Sequence, residues 1–174
     1  MGCQVKKGGE FENFISSWIG RVGNGTIKRA EPPIRVIHMD PTGGTFRGVY
    51  LSAGVLDFVG SWRGAHVEFD AKDISGDRFQ FTNPRAIRPG QAQRALALIK
   101  DDVLAVGLLL RFRGANAAQD RIWWLPWRTL LKVQVSGKKS LTTAMMPELD
   151  GTAQISYAWP SRDMENMLKA LFSA

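Results

Sequence analysis

The chain reads as an α/β protein: a mixed β-sheet flanked by helices. Three observations predict this. Two short apolar runs, "VLDFVGSW" and "AHVEFDAK", meet at a tight turn and have the length of paired strands. A third run, "VLAVGLLLRFR", is almost continuously apolar, as expected for a central strand covered on both faces. Helical periodicity precedes, separates and follows these runs. With 174 residues, 44% of them hydrophobic, the chain is long enough to bury the core of one globular domain.

Taken in order, "GGEFENFISSWIGRV" is predicted as a helix, because Phe11, Phe14, Ile15, Trp18 and Ile19 recur at three- and four-residue steps. "GNG" at Gly23 to Gly25 ends it. "PPIRVIHM" is predicted as a strand entered after Pro32 and Pro33, and "DPTGGTFRG" as a Gly-rich turn or small excursion. The paired strands follow, joined at Arg63 and Gly64. From Asp73 to Arg88 the chain is polar and irregular apart from Phe79 and Phe81. "RPGQAQRALALIKDD" is a second helix, with Pro89 near its start, where a missing N–H costs little. After the central strand, "RIWWLPW" is a strand stopped by Pro126, and "WRTLLKVQ" a short helix. The tail "PSRDMENMLKALF" sets Met164, Met167, Leu168 and Leu171 on one helical face, with Ser161 as its cap. No repeat or low-complexity segment divides the chain. A single domain over 1–174 is expected, with a core at about 6–135 and a C-terminal helix at about 161–172.

The formal net charge is +7. Such an excess favours a polyanionic partner, nucleic acid before membrane. No apolar run approaches the ~20 residues that span a bilayer. The N-terminus turns polar at once, without a secretory apolar region, and in "MGCQVK" Lys6 stands where a myristoylation signal wants Ser or Thr. Cys3 is the only cysteine, which excludes a disulfide framework and suits a reducing cytoplasm. His38 and His66 are too isolated to suggest zinc. Lys6, Lys7, Lys28, Arg29, Arg47, Arg63, Lys138 and Lys139 are the expected phosphate contacts, although any single one is more often merely solvated. Trp123, Trp124 and Trp127 suit core packing first, a subunit interface second and base stacking third.

The charges of the paired strands carry the chemical argument. Side chains two apart in a strand share a face, so Asp70 and Lys72 point the same way. A hairpin brings Asp57 alongside them. Two carboxylates and an ammonium at one point suit a hard divalent cation, which takes one or two carboxylates plus substrate phosphate. An Asp-x-Lys on a strand is more often a solvated ion pair. Here the apolar flanks (Leu56, Phe58, Val67, Phe69) put the charges at the edge of a core.

These residues resemble the PD-(D/E)xK nuclease superfamily, and most closely the RecU-type Holliday junction resolvases, with the archaeal Hjc resolvases more distant. "LDFVGSWRG…VEFDAK" is similar to their catalytic hairpin, and "VIHMDPT" to the segment before it. "KKGGEFENFI", "IRPGQAQRAL" and "SGKKSL" resemble further family segments in the same order, from about Lys6 to Leu141. The resemblance implies a restriction-endonuclease-like fold and an Mg²⁺-dependent endonuclease, with Mn²⁺ substituting. Its substrate would be four-way DNA junctions, cut by paired nicks that leave 5′-phosphates in recombination and repair. It further implies a homodimer in the cytoplasm of a bacterial or phage-infected cell. Asp57, Asp70 and the Ala71 carbonyl would hold the metal, and Glu12 would complete the site, with Glu10 as a substitute. Lys72 would assist the attacking water, and Gln91 matches the family's helix glutamine, with Gln93 as fallback. Glu68 falls out of this register. Three departures stand out. Leu56 replaces the motif's proline, Asp70 replaces the commoner glutamate, and "GGTFRGVYLSAG" leaves room for a stub where RecU-type enzymes carry a long stalk. The alternatives are a nuclease of the same fold with another DNA substrate, or a DNA-binding recombination modulator that does not cut.

Overall fold

The apolar stripe at the start of the chain becomes α1 (Gly9–Ile19), which buries Phe11, Ile15, Trp18 and Ile19. It leads through a turn to β1 (Lys28–Arg29), then β2 (Ile34–Met39) and β3 (Phe46–Tyr50). A hairpin follows, of β4 (Phe58–Trp62) and β5 (Ala65–Ser75), then β6 (Arg78–Phe79) and α2 (Pro89–Lys100). Next come β7 (Ala105–Arg113), β8 (Arg121–Pro126) and α3 (Trp127–Val135). The chain closes with β9 (Leu141–Thr142), a 3₁₀ helix (Thr143–Glu148), β10 (Ala153–Ile155) and α4 (Pro160–Phe172). The structure, a computed structural model, describes residues 9–30, 34–39, 46–50, 56–116 and 119–172, the side chains of 34–39 and 46–50 excepted.

Six strands form the main sheet in the order β1-β4-β5-β7-β8-β10. Among the described strands only β5 and β7 run parallel, from Val67↔Ala105 to Ser75↔Arg113, with α2 as their crossover. The other neighbours are antiparallel, so the sheet is mixed. α1 and α4 cover one face, over Phe58, Val67, Phe69, Leu109 and Trp124. α2 and α3 cover the other, over Val106, Leu108, Leu110 and Leu125. The continuous apolar run of β7 is therefore explained by helices on both sides. The expected architecture, a mixed sheet between helices, is the one observed.

Two local features position the site. The β4–β5 turn places Arg63 at φ 49° and Gly64 at φ 81°, the left-handed pair that suits the twist of a two-residue hairpin. A Cβ on Gly60 would lie 2.5 Å from Ile27 Cα and 2.5 Å from the Thr26 carbonyl oxygen, so only glycine lets the β1 segment cross there.

Several expectations are corrected. The strand expected in "PPIRVIHM" is present as β2, and its partner is β3, whose start lies in the segment expected as a Gly-rich turn; the two form a separate antiparallel ribbon. Two strand-forming segments close in sequence satisfy each other's hydrogen bonds locally, which needs no partner in the main sheet. Ser161 does not cap α4. Pro160 opens that helix, and the Ser161 hydroxyl instead donates to the Trp18 carbonyl of α1 at 3.1 Å. Trp124 and Trp127 are core residues of opposite faces, in line with packing as their first role. Lys6, Lys7, Cys3, Gly43 and Gly44 lie outside the described residues, as do the side chains of His38 and Arg47.

Candidate active site

β4 stops at Phe58, opposite Phe69, whereas β5 runs on to Ser75. Beyond Phe69 no strand among the described residues pairs with the β4-side edge of β5. Asp57, the residue before β4, occupies this edge: its Oδ2 accepts the Ala71 N–H at 3.0 Å. The Asp57 carbonyl in turn accepts the Ala30 N–H at 2.7 Å, tying it to the segment after β1. In a strand the N–H and C=O of one residue point to the same edge, so the Ala71 carbonyl also faces the Asp57 side.

Glu68, Asp70 and Lys72 alternate onto the face covered by α2. Asp70 is fully buried. Its Oδ1 accepts a hydrogen bond from Gln91 Nε2 at 2.7 Å, and its Oδ2 forms an ion pair with the Lys72 ammonium. Lys72 Nζ also donates to Gln91 Oε1 at 3.3 Å, and the same oxygen accepts the Arg88 N–H at 3.1 Å. Gln91 is thus a bridge between the helix start and both charged residues of the Asp-x-Lys. Burial, and then the nearby Asp57 charge, push the Asp70 carboxyl up to about 8. Glu12 arrives from α1 on the opposite face. Burial raises its pKa, Asp57 adds to the rise, and Arg29, Lys72 and Arg88 oppose it. Glu12 forms an ion pair with Arg29. Glu12, Asp57, Asp70, Lys72 and Gln91 are therefore brought together at one open strand edge, between α1 and α2.

Other expected residues are not. Glu10 adds a minor charge effect at Arg113, and Gln93 is exposed on α2. Arg63 sits at the hairpin tip, the far end of β4 from Asp57, with its guanidinium 4.7 Å over the Trp62 ring. Lys28, Lys138 and Lys139 are exposed, and Arg29 is taken up by Glu12. Two features escaped the sequence reading. Arg88, whose charge reaches Glu12, immediately precedes the helix that carries Gln91. Glu68 is fully buried against Arg94 and His66. The signal was present: Gln91 and Arg94 are three apart on a helix, as Glu68 and Asp70 are two apart on a strand, so the pairs share faces.

Among the described residues no group of three or more His, Cys, Asp or Glu stands close enough together to hold a metal ion by itself. The donors do fit a hard cation. They are all oxygens, and Asp70 Oδ2, though beside Lys72, is buried without accepting a hydrogen bond of good geometry.

The structure thus sets an Asp…Asp-x-Lys group on a mixed sheet, at a strand edge that no described strand covers. The chain belongs to the RecU family, Recombination protein U, whose family model matches residues 6–159. It is a nuclease of the Holliday junction resolvase class. Among solved structures it is similar to Hjc, a Holliday junction resolvase of the archaeal hyperthermophile Archaeoglobus fulgidus. The identity is 10% and the TM-score 0.46, over 82% of this chain and 93% of that one. No curated protein matches the chain. No helix among the described residues is long and apolar enough to cross a membrane.

Proposed function

We propose that this protein resolves four-way DNA junctions by Mg²⁺-dependent paired nicks, with Mn²⁺ able to substitute, in the cytoplasm of a bacterial or phage-infected cell. The observation that carries the reading is the Asp70–Lys72–Gln91 interlock beside Asp57 at the open edge of β5. Asp57, Asp70 and the Ala71 carbonyl would hold the cation, with Glu12 completing the set once Arg29 turns to a DNA phosphate. Bound there, the cation polarises a phosphoryl oxygen and acidifies its water. Lys72, aimed by Asp70 and Gln91, donates to the attacking water or to a phosphate oxygen as charge builds in line. Arg88, whose charge reaches Glu12, would add a phosphate contact at this edge, and the exposed Lys28, Lys138 and Lys139 would meet phosphates elsewhere on the DNA. Two opposed strands need two sites, so the working unit is a homodimer.

The test is cleavage of a synthetic mobile junction with mapped nicks. Lys72→Ala and Asp70→Asn should lose Mg²⁺-dependent cutting while keeping the gel shift. Wild-type cutting by either variant refutes the site, and a preference for linear duplex refutes the substrate. Tight junction binding without cutting in Mg²⁺ or Mn²⁺ would make the protein a recombination modulator instead.

A further inference from the structure

We propose that Glu68, locked by Arg94, is the positioning residue for Asp57. This rests on Asp57 as a metal ligand. Glu68 is fully buried, and its carboxylate is bonded in three directions. Arg94 of α2 donates from Nη2 to Oε2 at 2.8 Å and from Nε to Oε1 at 3.1 Å. His66 Nε2 stands 3.0 Å from Oε2. The third bond goes to the main chain, where the Leu56 N–H donates to Oε1 at 3.3 Å.

Leu56 is the residue before Asp57, and it too is fully buried. It lies outside β4, so no strand partner takes its N–H, and a buried N–H needs an acceptor. Glu68 supplies it. One residue on, the Asp57 carbonyl is held by Ala30 and its carboxylate by Ala71. The Asp57 main chain is therefore fixed just upstream by Glu68 and at its own carbonyl by Ala30. Its carboxylate is left only side-chain rotations, and one of its oxygens is already aimed.

A purely structural clamp between β5 and α2 is the competing explanation. Clamping needs no charge, because a buried ion pair is often matched or bettered by apolar residues of similar volume. What an apolar pair does not provide is a directional acceptor for Leu56. Partners that hydrogen-bond around a metal site typically affect metal affinity about 10- to 100-fold when removed.

Two variants separate the explanations. Glu68→Met with Arg94→Met keeps volume and removes the acceptor. Glu68→Gln keeps an acceptor oxygen and removes the charge. The readouts are Mn²⁺ affinity of the DNA-free protein, by calorimetry or electron paramagnetic resonance, and hydrogen exchange at the Leu56 amide. The double variant should unfold near the wild-type temperature, exchange the Leu56 amide faster and bind Mn²⁺ about 10- to 100-fold more weakly. Glu68→Gln should stay near the wild-type Mn²⁺ affinity. A folded double variant with unchanged Mn²⁺ affinity overturns the proposal. So does an equal loss in Glu68→Gln, which would make the charge and not the Leu56 bond the cause, and which can be read even if the double variant does not fold. Asp57→Asn runs in parallel. If it binds Mn²⁺ as the wild type does, the metal reading of Asp57 is what fails.

Discussion

Asp70→Asn should stabilise the metal-free protein relative to the wild type increasingly as pH rises. Asp70 is fully buried, and its carboxyl is pushed from an ordinary 3.8 to about 8 by burial and by Asp57. The folded protein thus keeps a proton on Asp70 over a range where the unfolded chain has released it. The contribution is fully present below the unfolded value and is lost as pH rises toward the folded one. The loss is up to about 1.4 kcal/mol per pH unit between these limits. For a chain of this size that is about 3–6 °C of melting temperature per unit. Asparagine keeps the shape and one acceptor oxygen, which can still take the Gln91 Nε2 donor, while its amide nitrogen gives up the Lys72 contact; it does not titrate. The assay is thermal or urea unfolding of both proteins in chelator from pH 5.5 to 9. The stability of wild type minus variant should fall to about pH 8 and then level off. Adding Mg²⁺ at pH 8 should restore the wild type and not the variant, because the ion binds the ionised carboxylates of the folded state. A difference that is flat, or that rises with pH, refutes the account of Asp70.

Two further substitutions probe the frame of the site. Gly60→Ala places a methyl group against main-chain atoms of Thr26 and Ile27 that have no rotamer with which to yield. It should cost about 1–3 kcal/mol in urea unfolding and should also slow cutting, because the same ribbon carries the Ala30–Asp57 bond; an unchanged midpoint refutes the close crossing. On the α1 face, Asp73 accepts hydrogen bonds from the nearly buried Arg111 and from Arg113. Burial raises the Asp73 carboxyl, but the two guanidinium groups more than offset this, so its support persists above the usual carboxylate range and fades as pH falls below it. Asp73→Asn at neutral pH should cost about 3–5 kcal/mol, while Asp73→Leu with Arg111→Met should recover most of that. A single-variant loss below about 1 kcal/mol would mean that the network is not held as described.

The parts of the site legible in the sequence were those that depend on period. Asp70 and Lys72 share a face because strands alternate, and Asp57 follows from a tight turn between two short strands. Glu12 and Gln91 needed the family resemblance, since neither helix pattern says which polar residue turns inward. Pairing between distant segments was not legible. Nothing within "PPIRVIHM" distinguishes a strand of the main sheet from one that pairs with its neighbour, and the two-residue β1, β6 and β9 are too short to show a period. The basic set was found by charge alone, and charge carries no location. Arg29 stands at the site on Glu12, while Arg63 sits at the opposite end of the hairpin.

The contrast between Glu68 and Asp70 separates chemistry from scaffolding more sharply than the motif does. They lie two residues apart on one strand and one face, both fully buried. Burial pushes both carboxyls up, yet the net shifts are opposite. Glu68 receives a forked guanidinium, an imidazole and a main-chain N–H, and these bring it below its ordinary value. Asp70 receives one amide and one ammonium, has Asp57 as a like-charged neighbour, and stays well above its ordinary value. A carboxylate that its own protein has fully answered has no demand left for a cation. One left short of positive charge beside a second carboxylate does, and the shortfall lies where β4 ends early and leaves the edge of β5 open. The two-residue difference in register thus separates a buried acid whose charge is fully answered from one that, on the proposed function, is available to a cation.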